Sequence, residues 1–389
     1  MTGAVVGARW VAAPLVGATA LPEAEWNALA RRGFHLHQWF RAAEDSGWRA
    51  RHLVVSRGDE ACAVFPAYLT GADTPHDLHE RWLGPLSGLD RIGLAIRPVL
   101  SVQSPFSLTS DALGDAKALP CSVLQRVFEL LEETAAGERA KAVVWPFVDA
   151  ADEAVVALAR ERGYAVVPSG ATARLRVWWD SFEEYVASRS KSVRRTIRAD
   201  LDELRVAGLE TVASWEFGEH AERMDALYRA AYRRRNGRDP KLSPVWFHRI
   251  ADEPAPGIEA MLTWKGGQLA GTSLNLAAGE VLDGTFTAFR LEEHGGPAYV
   301  NDLVYEPIRI ACARGIETID LGMSALYPKV LRGARLRRRV ALVRGANPVL
   351  HQALAALGKV MARRQEAKER RMLGALWGPR CFEDAEDLP

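Results

Sequence analysis

The sequence predicts an α/β protein built in two halves, and three stretches carry that expectation. In the first, an amphipathic helix Ser122–Thr134 precedes a strand Ala142–Val148, a helix Asp152–Arg162 ended by Gly163, and a strand Tyr164–Val167. In the second, two strands, Glu259–Trp264 and Leu269–Leu276, flank the turn Lys265-Gly266-Gly267-Gln268, and a third strand follows at Val281–Phe289. In the third, Tyr299–Arg339, a helix is followed by the β-branched strand Ile316–Gly322 and a turn-prone loop Met323–Arg332. Helices and strands alternating in this way suit mixed sheets covered by helices.

The remaining elements follow in order. Leu21–Ala30 and Gln38–Asp45 read as short helices, and Arg51–Ser56 and Ala61–Tyr68 as a hairpin over Arg57-Gly58-Asp59-Glu60. Residues 70–118 are rich in Gly, Pro and Ser and show no regular period. The first half closes near residue 170, and Arg174–Trp178 opens the second. Ser181 is placed to cap a helix from Phe182, with Glu184 completing a capping box. Val193, Ile197, Leu201 and Leu204 form the apolar stripe of a helix that Gly208 ends. A basic-ended helix spans Ala221–Arg235. In the third stretch, Asn301 or Asp302 is expected to cap the helix and Gly315 to close it, with Pro307 kinking it or delaying its start.

At 389 residues the chain has material for two cores, and 48% hydrophobic with 25% charged residues is ordinary globular composition. The four cysteines are scattered with no metal-ligand spacing, so neither a metal nor a disulfide is expected. No stretch is apolar for the length a bilayer requires. Pro14 and Gly17 interrupt the apolar run after Arg9, so a cytoplasmic protein is expected. The net charge of +1 is unevenly spread: residues 327–380 hold 14 Lys and Arg against Glu366 and Glu369. An anionic partner at that end is one reading, and a solvated basic helix is the other.

Two phrases carry a family resemblance. Ala311, Arg314, Gly315, Asp320, Gly322, Tyr327, Lys329 and Gly333 match the helix–strand–loop pattern of Fem-type peptidyltransferases and FemAB-like acetyltransferase domains, with Pro328 separating Tyr from Lys. SRSKSVRRTIRADLDELRVAG, from Ser188, is similar to a second helix of the same families, and the hairpin phrase Gly47–Gly71 to their opening strands. These families belong to the GNAT superfamily. The resemblance implies two GNAT-like domains with mixed central sheets flanked by helices. The first, residues 1–170, is degenerate; the second, 171–345, carries the acyltransferase fold, and 346–389 form a basic helical tail. It implies amide-bond formation by attack of an amine on an activated acyl group, with no metal, protein nucleophile or cofactor.

The candidate residues follow from this. Lys329, with Tyr327, is expected to stabilise an oxyanion, and Asp283, in an apolar strand, is a candidate base. Asn301, Asp302, Arg332 and Arg290 are candidates for positioning the acceptor or donor. Arg194, Arg195, Arg198, Arg337, Arg338 and Arg339 would track the phosphates of aminoacyl-tRNA. The acceptor would be a peptidoglycan precursor or another small amine. An acyl-CoA donor is the alternative, tied to whether the loop Arg290–Ala298 cradles pyrophosphate. A binding module without catalysis is the third reading.

Overall fold

The computed structural model describes residues 9–71, 96–252, 256–290, 292 and 296–383. Its organising element is a mixed sheet of eleven strands among the described residues. From one edge these are Leu209–Ser214, Ile258–Lys265, Gln268–Ala278, Val281–Phe289, Thr318–Asp320, Ala165–Arg176, Arg335–Gly345, Ala142–Asp149, Val99–Val102, Ala67–Thr70 and Arg49–Ala50. A smaller sheet joins Trp10–Leu15, His52–Arg57, Glu60–Phe65 and Leu113–Gly114.

The two halves repeat one motif. In each, a strand pairs in parallel with a later strand of the same sheet across an intervening helix. Val99–Val102 and Ala142–Asp149 do so around the helix Cys121–Gly137. Val281–Phe289 and Thr318–Asp320 do so around the helical segment 297–314. The closing strands are then exchanged. Ala165–Arg176, the last strand of the first half, lies against Thr318–Asp320 of the second. Arg335–Gly345 lies against Ala142–Asp149 of the first, and the two exchanged strands pair with one another. Residue 170, the expected end of the first half, lies inside one of them.

Local rules account for most elements. Asp152, Ser181, Ser190 and Asn347 each accept a hydrogen bond from the third residue beyond them, as N-caps do. Gly208 and Gly315 end their helices in the left-handed conformation. The helix Pro348–Leu373 packs on the two exchanged strands, with Gly358 bare against Val167.

Three expectations are corrected. The helix before strand Thr318–Asp320 begins at Pro297, after Gly296, so Asn301 and Asp302 are interior residues and cap nothing. They lie in a π-helical turn, Asn301–Tyr305, which is followed by the α-helix Glu306–Arg314 with Pro307 in its first turn. The widened turn is where a chain accommodates a missing amide. The loop Met323–Arg332 contains a short helix, Leu326–Leu331, because Pro328 falls in its first turn, where proline costs no bond. Of the expected strand Ile316–Gly322, only Thr318–Asp320 is laddered.

Two of the buried apolar clusters bear on the site. Trp26, Trp39, Phe40, Trp246, Phe247 and Phe286 belong to a cluster drawn from both halves. The second lies under the segment 297–314, around Leu282, Leu303, Val304 and Ile308.

Candidate active site

The parallel pairing of Val281–Phe289 with Thr318–Asp320 lasts three residues, ending at Asp283 and Asp320. Beyond that point the two backbones part. On one side Gly322 turns with φ +70°, its N–H donating to Asp320 Oδ1 at 3.0 Å. On the other, Gly284 follows, the register shifts between Thr272 and Leu274, and Phe286 takes φ +51°. A bulge with a non-glycine residue at positive φ in mid-strand re-aims the chain and marks a place held by its surroundings. A gap therefore opens in the sheet immediately after two aspartates.

These aspartates are tied to the first half. Arg32 donates through Nε to Asp283 Oδ2 at 3.1 Å and through Nη2 to Asp283 Oδ1 and to Asp320 Oδ2, the latter at 3.1 Å. Its Nη1 reaches Asp111 at 3.0 Å. Arg32 can lie this deep because Gly33 has no side chain: a Cβ there would stand 2.2 Å from the main-chain carbon of Leu276. Arg339 adds a second cation, bonded to Thr172 Oγ1 at 3.1 and 3.2 Å and 3.8 Å from Asp320. Burial opposes the charge on Asp320, but Arg32, Arg339 and Arg174 hold its pKa below the ordinary range. Burial, with the charge of Asp320 beside it, pushes the Asp283 carboxyl up against the opposing pull of Arg32. His35, buried beside Arg32, is pushed down to about 3, mainly by burial, and is neutral at physiological pH.

Lys329 lies inside, 1% exposed. Its Nζ donates to the main-chain carbonyl of Leu321, the residue after Asp320. Burial lowers its pKa from 10.5 to about 7, with Asp320 opposing the shift. Tyr327 stands 47% exposed on the same short helix. Arg332 is buried and occupied: its Nε donates to Tyr305 Oη at 2.6 Å and its Nη2 to Asp200 at 2.5 Å. It braces three elements together.

Asp302 is fully buried and accepts from Thr263 Oγ1 at 2.5 Å and Thr211 Oγ1 at 3.0 Å. Burial raises its carboxyl to about 7 against those hydrogen bonds. Asn301 joins the group through Nδ2 to Thr211 at 3.1 Å. Arg290 is bound to its own hairpin, to Leu269 O at 3.1 Å and Gln268 Oε1 at 2.7 Å. Of the loop after it, 291 and 293–295 lie outside the described residues.

The basic residues divide. Arg195 and Arg198 are exposed on the helix Lys191–Ala207, and Arg194 donates to the carbonyls of Arg189 and Ala187. Arg337 and Arg339 point inward: Arg337 binds Asp149 at 2.8 Å. Only Arg338 of that run is exposed, its guanidinium 3.9 Å from the Phe382 ring centroid. The three do not form a surface track, because strand residues alternate sides.

Sequence reasoning missed Arg32, Asp111 and His35, which no local pattern marks. It also missed Asn275, a polar residue in an apolar strand, which was the available signal. No described helix is long and apolar enough to cross a membrane.

Two α/β halves sharing a sheet that opens beside buried aspartates define a tandem GNAT-type fold. The chain is similar to the crystal structure of FemX, at 13% identity and a TM-score of 0.60, over 86% of this chain and 98% of that one. It is similar to a tandem GNAT protein from the clavulanic acid biosynthesis pathway, at 12% and 0.51, over 87% and 99%. It is also similar to the C-terminal domain of a putative lysylphosphatidylglycerol synthetase from Agrobacterium fabrum, at 12% and 0.52, over 82% and 89%. At these identities the likeness is one of fold. No curated protein matches the sequence. Residues 17–374 match the FemAB-like family, described as peptidoglycan biosynthesis/recognition, and the chain belongs to that family.

Proposed function

We propose that the protein is an N-acyltransferase that moves an aminoacyl group from aminoacyl-tRNA to an amine, the acceptor being a peptidoglycan precursor or a related small amine. The observation that carries this reading is the position of Lys329, a buried amine at the edge of the gap between the parted strands. The acceptor amine attacks the ester carbonyl, a C–N bond forms, and the C–O bond to the tRNA ribose breaks. The proton lost by the amine passes to the departing ribose oxygen. With a pKa of about 7, Lys329 is partly protonated at neutral pH and can donate to the oxyanion of the tetrahedral intermediate. Asp283 is the candidate to take the amine's proton, and Tyr327, at the exposed side, to position the entering substrate. Asn301 and Asp302 are assigned to shaping the second half's wall, and Arg332 and Arg290 to bracing it.

Exposed cations on the helix Lys191–Ala207 and along Pro348–Leu373 support an RNA donor. Such a donor would place the reaction in the cytoplasm. The test is turnover and filter binding with radiolabelled aminoacyl-tRNA and with acetyl-CoA, each offered with a panel of amines. Transfer from charged tRNA is expected. Transfer from acetyl-CoA alone, competed by free coenzyme A, would replace this reading with an acyl-CoA-dependent one.

A further inference from the structure

Asn275 stands directly opposite Gly284 in the antiparallel ladder. Gly284 is the first residue of its strand beyond the parallel pairing, so Asn275 flanks the point where the sheet opens. It is 2% exposed, and neither Oδ1 nor Nδ2 has a partner. Ser273, two residues back and therefore on the same face, is as deeply buried, and its hydroxyl is also unpartnered. Buried amides are almost always satisfied, because leaving both ends unpaired forfeits the hydrogen bonds that water supplied. A leucine would fit such a strand at no such cost.

The amide oxygen lies close to Gly284. A Cβ on residue 284 would lie 3.9 Å from Asn275 Oδ1, 4.0 Å from the carbonyl oxygen of Asp320 and 3.7 Å from Leu303 Cδ1. The glycine keeps that spot clear of protein.

We propose that Asn275 is a substrate-binding residue that holds the aminoacyl group of the donor, Oδ1 accepting from the α-amino group and Nδ2 donating to the acyl carbonyl. A carboxamide offers an acceptor and a donor side by side. An α-aminoacyl ester presents the complement, an amine donor beside a carbonyl acceptor. An acetyl thioester has the carbonyl and lacks the donor, and an N-acetylated aminoacyl group has lost the charged one. The residue thus selects for a free α-amino group. The inference rests on the aminoacyl-tRNA reading and adds the basis of its selectivity.

The test compares aminoacyl-tRNA with N-acetylaminoacyl-tRNA in the wild type, in Asn275→Leu, and in Gly284→Ala, whose added methyl stands at ordinary contact distances. The wild type is expected to prefer the free amine. Asn275→Leu should raise KM for aminoacyl-tRNA roughly 10- to 100-fold, the loss of a hydrogen bond to a charged group. It should bring the two donors to parity without lowering the melting temperature. Gly284→Ala should raise KM in the same direction, and it carries the test if Asn275→Leu does not fold. An undiminished preference for the free amine in both variants overturns the inference and leaves the donor reading standing. A lowered melting temperature with the preference intact makes Asn275 structural and overturns it equally. Turnover of acetyl-CoA with neither charged tRNA used by the wild type removes both.

Discussion

Arg32 and Asp283 stand 251 positions apart in the chain and meet as a two-point ion pair in the interior. Removing the guanidinium leaves Asp283 and Asp320 buried without their shared counter-charge. Breaking one side of such a pair costs about 3–5 kcal/mol, so Arg32→Ala should lower unfolding stability by that much. Arg32→Lys should recover little of it, since one ammonium cannot serve three carboxylates in the geometry of the planar fork. Urea unfolding reads both variants. A loss near that of an ordinary surface substitution would show the network to be dispensable.

Lys329 lends itself to a kinetic and a thermodynamic measurement. Lys329→Ala should cut kcat by about 10²-fold with a much smaller change in KM, as when one oxyanion donor is lost. Its folded pKa of about 7 lies below the ordinary 10.5, so between these values the unfolded chain binds more protons. Its contribution to stability is therefore complete above about pH 10.5 and lost as pH falls through about 7. Lys329→Met should be more stable than the wild type at pH 6, and that advantage should shrink as pH rises to 10. A pH-independent difference would contradict the buried, shifted amine.

Asp302 carries the opposite sign. Its folded pKa of about 7 is raised above the ordinary 3.8, so its contribution is complete below pH 3.8 and lost as pH rises through about 7. Asp302→Asn should therefore gain on the wild type as pH rises across that window, followed by denaturant midpoints at pH 5 and 8. A gain that does not grow with pH would mean the carboxyl ionises without penalty.

The run Arg337–Arg339 and the helix Lys191–Ala207 should separate in an RNA-binding assay. Arg337→Ala should lower stability, because Asp149 loses a buried partner. Replacing Lys191, Arg195 and Arg198 together with glutamine should weaken tRNA binding and flatten its salt dependence by about 0.7–0.9 in log–log slope for each lost phosphate contact. An unchanged slope would take that helix off the RNA path.

Regular elements were legible where local chemistry decides them. The strand Val281–Phe289 and the end of the helix Lys191–Ala207 stand where periodicity and Gly208 put them. The helix before Thr318 was misplaced because Asn301 and Asp302 resemble caps, while their polarity serves a buried cluster with Thr211 and Thr263. Pro297 was the true start signal. Asp320 and Lys329 could be picked out from a motif. Arg32 could not: its carboxylate partners lie 79, 251 and 288 positions away, and nothing near it in sequence hints at them. The alternation of Arg337, Arg338 and Arg339 was readable in principle, but only once the segment is known to be a strand with both faces covered.

The exchanged closing strands have a consequence for motion and for ancestry. With Ala165–Arg176 built into one repeat's sheet and Arg335–Gly345 into the other's, no hinge can swing the repeats apart without tearing backbone ladders. Substrates must enter by the shifting of covering segments, and heat should melt the protein in a single step. A chain cut at residue 170 would divide one of those strands, so neither piece could complete its sheet alone, though the two together could. If one repeat arose by copying the other, the copies became mutually indispensable when they traded their last strands.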